Sequence, residues 1–357
     1  MLRTLKPESE HAAQPAAQTS PAKGTPAERA PRLRVSVGTG TAIGLNQVRA
    51  DCLPTTAYLM VGERCDRNCG FCPQARESGA RADLLSRVTW PAAGDPETVI
   101  AAVAGSHEAA TSGGEGVKRV CFQVIHDRAS LGETLEAVRS TRRRSSVPIC
   151  VSVFLNDQAV VAQLFEAGAD HVTMPIDVVG EELYHRVKGG GFSGALKRVE
   201  EAAARWPGKI GTHLIVGLGE TEEDMVRLIA RLVGQGVTIG LFAFTPVRGT
   251  ELAAQAPPDL ASYRRIQAAN WLFGEGLIGP DDLVFADGRL VGFRRPSAVV
   301  RSWLAAGEAF RTAGCPDCNR PYYNERPGGV IYNYPRPLTA DEAAAAVDVV
   351  LAGAPGV

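Results

Sequence analysis

The sequence predicts an α/β fold, a parallel TIM-like β/α barrel, partial or full, followed by an irregular cysteine-containing segment. Three observations carry this expectation. Short β-branched runs alternate with longer helical stretches from the low thirties onward. The alternation recurs about every 25 to 35 residues, which implies parallel strands joined by crossover helices. Seven or more units follow in one series, and that favours a barrel over a doubly wound open sheet.

Residues 1–31 are rich in Ala, Pro, Ser, Thr, Glu and Lys and poor in large apolar side chains. Such a segment cannot offset the entropy of ordering and reads as a disordered tail. The barrel is expected over 32–310. Its strand candidates are 55–61, 117–125, 148–154, 171–177, 211–217, 240–246 and 282–287. Between them lie helical stretches such as "DPETVIAAVAG", "NDQAVVAQLFEAG" and "TEEDMVRLIARLVGQG", several opening on Asp, Asn or Thr and closing on Gly. Those residues satisfy the orphan backbone groups at helix ends. Residues 311–340 break the pattern with Pro, Gly, Tyr and Arg around a C-x2-C, and 341–357 reads as a short C-terminal helix.

The chain has 357 residues, a net charge of −1, 45% hydrophobic and 22% charged residues. That balance gives no electrostatic case for nucleic acid or an anionic membrane surface. No apolar run approaches the roughly 20 residues that span a bilayer, and the start lacks the apolar core of a signal peptide. A cytoplasmic protein is expected. Eight cysteines in that compartment point to metal, catalysis or buried thiols rather than a disulfide framework.

Three of those cysteines crowd into "CDRNCGFCPQ": Cys65, Cys69 and Cys72, spaced C-x3-C-x2-C. The loop follows the first strand, on the face where a β/α barrel builds its active site. No His is near enough in sequence to complete a four-ligand zinc site. Three thiolates do suffice for a cubane iron–sulfur cluster with one iron left open. Phe71, just before the last cysteine, is placed to shield such a cluster.

This motif, with its aromatic residue and its place after the first strand, resembles the radical S-adenosylmethionine (SAM) superfamily. The resemblance implies a [4Fe–4S] cluster on Cys65, Cys69 and Cys72, and SAM chelated at the free iron and cleaved reductively. "HLIVGLGETEED" resembles the family's fifth-strand motif, which implies that Gly217 and Glu220 lie at the cofactor. "MPIDVVGEELYHRV" resembles the fourth-strand end of biotin synthase, which puts Asp177 at the SAM ribose; a helix cap is its plain alternative. "FTPVRGTELA" implies Arg248 as partner of a carboxylate, with a surface turn as the alternative. "SGGEG" (112–116) contains the Gly-Gly-Glu with which many members of the family hold the methionine amine, but it precedes a strand rather than following one and reads as a turn, so 123–127 is the better candidate for that role. "GTGTAIG" lacks the Lys-Ser/Thr of a phosphate loop.

The remaining cysteines leave two ligand sets open for an auxiliary iron–sulfur cluster. One is Cys315, Cys318 and Cys52, closing an end of the barrel. The other is Cys121 and Cys150, pointing inward from strands. The cues "RVSVGTGTAIGL", "PTTAYLM", "CGFCPQA" and "CPDCNRPYYNERPGG…YNYPRPL" resemble the LipS-type lipoyl synthases, which work as a pair of radical SAM proteins. That resemblance implies sulfur insertion into an octanoyl chain on a lipoyl-carrier protein. It further implies a second radical SAM partner protein and an electron donor such as ferredoxin or flavodoxin. Biotin-synthase-type insertion, a radical SAM reaction without sulfur transfer, and a zinc-binding scaffold are the competing readings.

Overall fold

The computed structural model describes residues 32–325 and 328–352; the expected tail, 1–31, lies outside them. The chain enters through β1 (Leu33–Val35) and a short helix α1 (Val37–Ala42), so "GTGTA" is helical, capped by the Ser36 hydroxyl, and Ile43 and Gly44 turn out of the helix. The fully buried β2 (Thr56–Val61) follows, then the cysteine loop and a small hairpin, β3 (Leu84–Leu85) with β4 (Val88–Thr89).

Regular alternation then takes over. It runs α2 (Pro96–Thr111), β5 (Arg119–Val124), α3 (Ser130–Arg144), β6 (Ile149–Ser152), α4 (Gln158–Ala167) and β7 (His171–Thr173). Two helices, α5 (Glu181–Lys188) and α6 (Phe192–Arg205), precede β8 (Ile210–Val216), followed by α7 (Glu222–Val233), β9 (Thr238–Ala243) and α8 (Leu260–Gly274). Asp95, Asp157, Thr221 and Asp259 cap α2, α4, α7 and α8 through their side chains. Gly168 ends α4 at φ +114°, a conformation that favours glycine.

The large sheet has the order β1-β2-β5-β6-β7-β8-β9. From β2 to β9 every neighbour is parallel and next in sequence among the sheet strands, while β1 is antiparallel on the outer edge. This single direction of winding is that of a β/α barrel. No pairing joins β1 to β9 among the described residues, so the barrel is partial. Leu59, Phe122, Ile149, Val151 and Val172 belong to the core that the helices cover.

The seventh strand candidate, 282–287, does not extend the barrel. It is β10 (Leu283–Ala286), paired antiparallel with β11 (Arg289–Phe293) in a sheet of its own. Asp287 and Gly288, at φ +50° and +73°, make the two-residue turn that Asp-Gly favours. Helix α9 (Ser297–Leu304) follows, and α10 (Ala340–Leu351) ends the description, opened by a reciprocal Thr339–Glu342 cap.

The irregular segment between α9 and α10 crosses the barrel. Thr55 and Thr56, at the start of β2, donate to Asp317 O, and Arg320 N donates to the Tyr58 hydroxyl. On the far side Arg320 Nη2 donates to Leu241 O, and Asn324 Nδ2 to Ala243 O, both on β9. The segment therefore links the first and last parallel strands and carries its cysteines to the interior.

Candidate functional site

A cavity of about 210 Å³ opens where the parallel strands end. Cys65, Cys69, Cys72, Asp177, Lys188 and His213 are among its lining residues. The chain leaves β2 through Gly62 at φ +97°, where a Cβ would meet Asp127 Oδ2 at 2.9 Å. Backbone bonds then fix the cysteine loop: Cys65 N to Gln74 O, Cys72 N to Cys69 O, and Ala75 N to Cys72 O. Gly70 N reaches Val187 O, which ties the loop to α5. The buried Gln74 amide donates to Ala82 O and Leu84 O and anchors the return.

The three thiols are too widely spaced for one ion. Ligands on a single zinc lie about 4 Å apart, and among the described residues only one other group of three donors lies within 4.8 Å. Wider spacing suits a multi-iron cluster. Burial pushes the Cys69 and Cys72 thiols above their ordinary range. Lys188 and Arg67 pull Cys69 the other way, toward the thiolate a metal needs. His126 Nδ1 and Arg67 Nε, buried in residues of the cavity wall, make no hydrogen bond, although His126 Nδ1 lies 4.0 Å from Asp66 Oδ2. Buried polar atoms without partners call for something more in the cavity, so the residues present fit the group. Phe71 lies at the cavity beside the triad.

Asp177 follows β7 with φ +63° and is buried. Its Oδ2 accepts from Lys188 Nζ at 2.7 Å, and Pro175 O and Ile176 O take the other ammonium protons. Burial disfavours the Lys188 charge, but Asp177 and Cys69 outweigh it and its pKa is raised.

The other residues singled out from the sequence sit elsewhere. Glu220 accepts from the backbone N–H groups of Gly217, Leu218 and Gly219, so its carboxylate caps its own loop. Burial nonetheless holds it above the usual carboxylate range. Gly217, at φ +100°, lies against Pro258, where a Cβ would come to 2.9 Å. Arg248 is exposed on the loop after β9 and does not line the cavity.

A second, narrower cavity adjoins the first. Cys121, Cys150, Cys315 and Cys318 all line it, so the structure merges parts of the two ligand sets. Cys52 does not join them. Its thiol sits by Asn319 Nδ2 and Pro335 O, on the loop before β2. Cys150, His171 and Cys315 bring one ligand atom each to within 4.8 Å of one another. Cys150 and then burial push the Cys315 thiol up, and burial pushes up Cys121. Two buried arginines face these sulfurs: Arg119 Nη1 lies 3.3 Å from Cys150, and Arg320 Nη1 lies 3.5 Å from Cys318.

Gln123, His213, Phe242 and Tyr323 line both cavities and form the wall between them. Burial lowers the His213 pKa to about 4, so it is neutral at pH 7. The sequence reading missed Lys188, His171, His213 and Tyr323. A His opening the strand next to the one that carries Cys150 was the available signal for His171. Nothing local marks Lys188.

Residues 59–232 match the family described as the Radical SAM superfamily. A lipoyl synthase from Oleidesulfovibrio alaskensis is 28% identical over 63% of this chain and 75% of its own length. A biotin synthase from a Synechococcus strain is 27% identical over 58% of this chain and 66% of its own. One from Beijerinckia indica is 27% identical over 55% and 59%. The chain thus spans less than two thirds of both biotin synthases. Among solved structures, methylornithine synthase aligns with a TM-score of 0.45 and 17% identity over 58% of this chain and 60% of that one.

Proposed function

Since the chain carries a radical SAM domain over residues 59–232, we propose that this enzyme inserts sulfur into unactivated C–H bonds, of a protein-bound octanoyl chain. The observation that carries the reading is the shared wall. A three-cysteine site and a four-cysteine pocket occupy one barrel interior, separated only by side chains such as His213, Phe242 and Tyr323. A lipoyl synthase and biotin synthases among the relatives support it.

Cys65, Cys69 and Cys72 would hold the first cluster, and Cys121, Cys150, Cys315 and Cys318 are the candidate thiols for the auxiliary one. When bound, the first cluster with SAM supplies a hydrogen-abstracting radical and the auxiliary cluster supplies sulfur. The chain's own work is placement. Asp177, held by Lys188, presents a carboxylate to the SAM ribose. Phe71, Phe154 and Phe244 make the first cavity's surface apolar, which suits an alkyl chain and keeps water from a radical. An octanoylated lipoyl-carrier protein as substrate, a second radical SAM protein as partner, and ferredoxin or flavodoxin as electron donor belong to this proposal.

The test is isotopic. Protein reconstituted with iron and ³⁴S-sulfide is given SAM, dithionite and an octanoyl-lysine peptide, with and without a candidate partner protein. Product carrying ³⁴S supports the reading. SAM cleavage with no sulfur in any product, from the peptide or from dethiobiotin, overturns it. A second reading has one observation in its favour. Cys150, His171 and Cys315 lie close enough for a single zinc ion, which would leave a radical enzyme without sulfur transfer.

A further inference from the structure

The geometry points to His171 as a ligand of the second metal centre, beside Cys150 and Cys315. This rests on the reading that the second pocket holds an iron–sulfur centre.

Strand register is the first observation. Cys121 pairs with Cys150 across β5 and β6, and Cys150 pairs with His171 across β6 and β7. Register partners in a parallel sheet point to the same face, on strands about 4.8 Å apart. Three metal-binding side chains thus stand in one row across three strands. The crossing segment brings Cys315 against the end of that row, its Sγ 3.5 Å from His171 Nδ1.

The ring itself is the second observation. His171 is 6% exposed, and its Nε2 is buried with no partner. A histidine kept for packing has its ring nitrogens satisfied by hydrogen bonds. This one has one nitrogen on a thiol and the other on nothing.

The third observation is the space made for it. A Cβ on Gly211, on the neighbouring strand β8, would come within 2.7 Å of His171 Cε1 and 3.0 Å of Thr238 O. Glycine there lets the imidazole lie against the sheet.

The chemical consequence is a mixed cysteine–histidine centre. A neutral imidazole replaces a thiolate and makes the centre less negative, and Arg119 and Arg320 on the flanking sulfurs act in the same direction. Exchanging Cys for His ligands raises an iron–sulfur potential. His171 therefore makes this centre easier to reduce than an all-cysteine one.

The experiment uses the Cys65/Cys69/Cys72 triple Ala variant, reconstituted anaerobically with ferrous iron and sulfide, then reduced and examined by pulsed EPR. The expected result is a strong nitrogen coupling from a bound imidazole. Adding His171→Cys should abolish it, keep the iron and lower the midpoint potential. Bound iron without such a coupling, or a coupling that survives His171→Cys, overturns the assignment while leaving a second centre in place. Absence of iron from the triple variant overturns both. The same His171→Cys comparison on the otherwise unaltered chain, without SAM, decides the question if the triple variant fails to fold.

Discussion

Lys188 Nζ stands 2.7 Å from Asp177 Oδ2, and the lysine, the last residue of α5, is buried at the wall of the first cavity. Two backbone carbonyls complete its shell, so the ammonium is a fixed part of the site. Removing one partner of a buried pair leaves an uncompensated charge, at a cost of about 3–5 kcal/mol. Lys188→Met is expected to lose stability on that scale and, in protein that remains folded, to bind SAM at least ~10-fold more weakly, since ~1.4 kcal/mol of lost positioning is tenfold. Equilibrium dialysis of cluster-loaded protein measures this. Wild-type affinity in the variant would separate the pair from the cofactor.

Glu220 takes three backbone N–H groups of its own loop. Glu220→Ala is expected to lower stability by ~2 kcal/mol, as charge-assisted bonds give way to partial rehydration. Urea unfolding should show a lower midpoint at unchanged slope. An unshifted midpoint would mean that the carboxylate is not the loop's cap.

Cys52 and Cys318 should behave differently. Cys52→Ser is expected to keep the full iron and sulfide complement, because its thiol lies by Pro335 and Asn319. Cys318→Ala, in the second pocket, should lose iron from the auxiliary centre and still cleave SAM. Equal iron loss in both variants would restore Cys52 to the ligand set.

His213 gives a pH dependence. Its folded pKa of about 4 lies below the unfolded value of about 6.5. The neutral ring is the form that the fold accepts. Its contribution is fully present above pH ~6.5 and is lost as pH falls toward ~4, by at most ~3 kcal/mol. The loss should level off below pH 4. His213→Gln should flatten stability across that window, measured by urea unfolding at stepped pH. A slope unchanged by the substitution would assign the effect to other groups.

Much of this was legible in the sequence because the signals were local. Periodicity and capping residues showed the alternation, and the spacing of Cys65, Cys69 and Cys72 singled out three residues that line one cavity. The 282–287 run misled because β-branched composition cannot tell a barrel strand from a hairpin; the Asp287-Gly288 turn could. The second site was split between two expectations because its parts are distant in sequence. Cys121 and Cys150 come from strands, while Cys315 and Cys318 arrive on a segment whose course depends on contacts with both β2 and β9. Lys188 carried no signal, because a lysine in a polar helical stretch reads as solvent-facing until its enclosure is seen.

The central claim is that two metal centres share one barrel interior. Iron and acid-labile sulfide per chain, measured after anaerobic reconstitution of the wild type and the Cys65/Cys69/Cys72 triple Ala variant, test it most directly. The account predicts that the triple variant loses one cluster's iron and all SAM cleavage but keeps the iron and sulfide of a second centre. A triple variant that is folded and free of iron would contradict it.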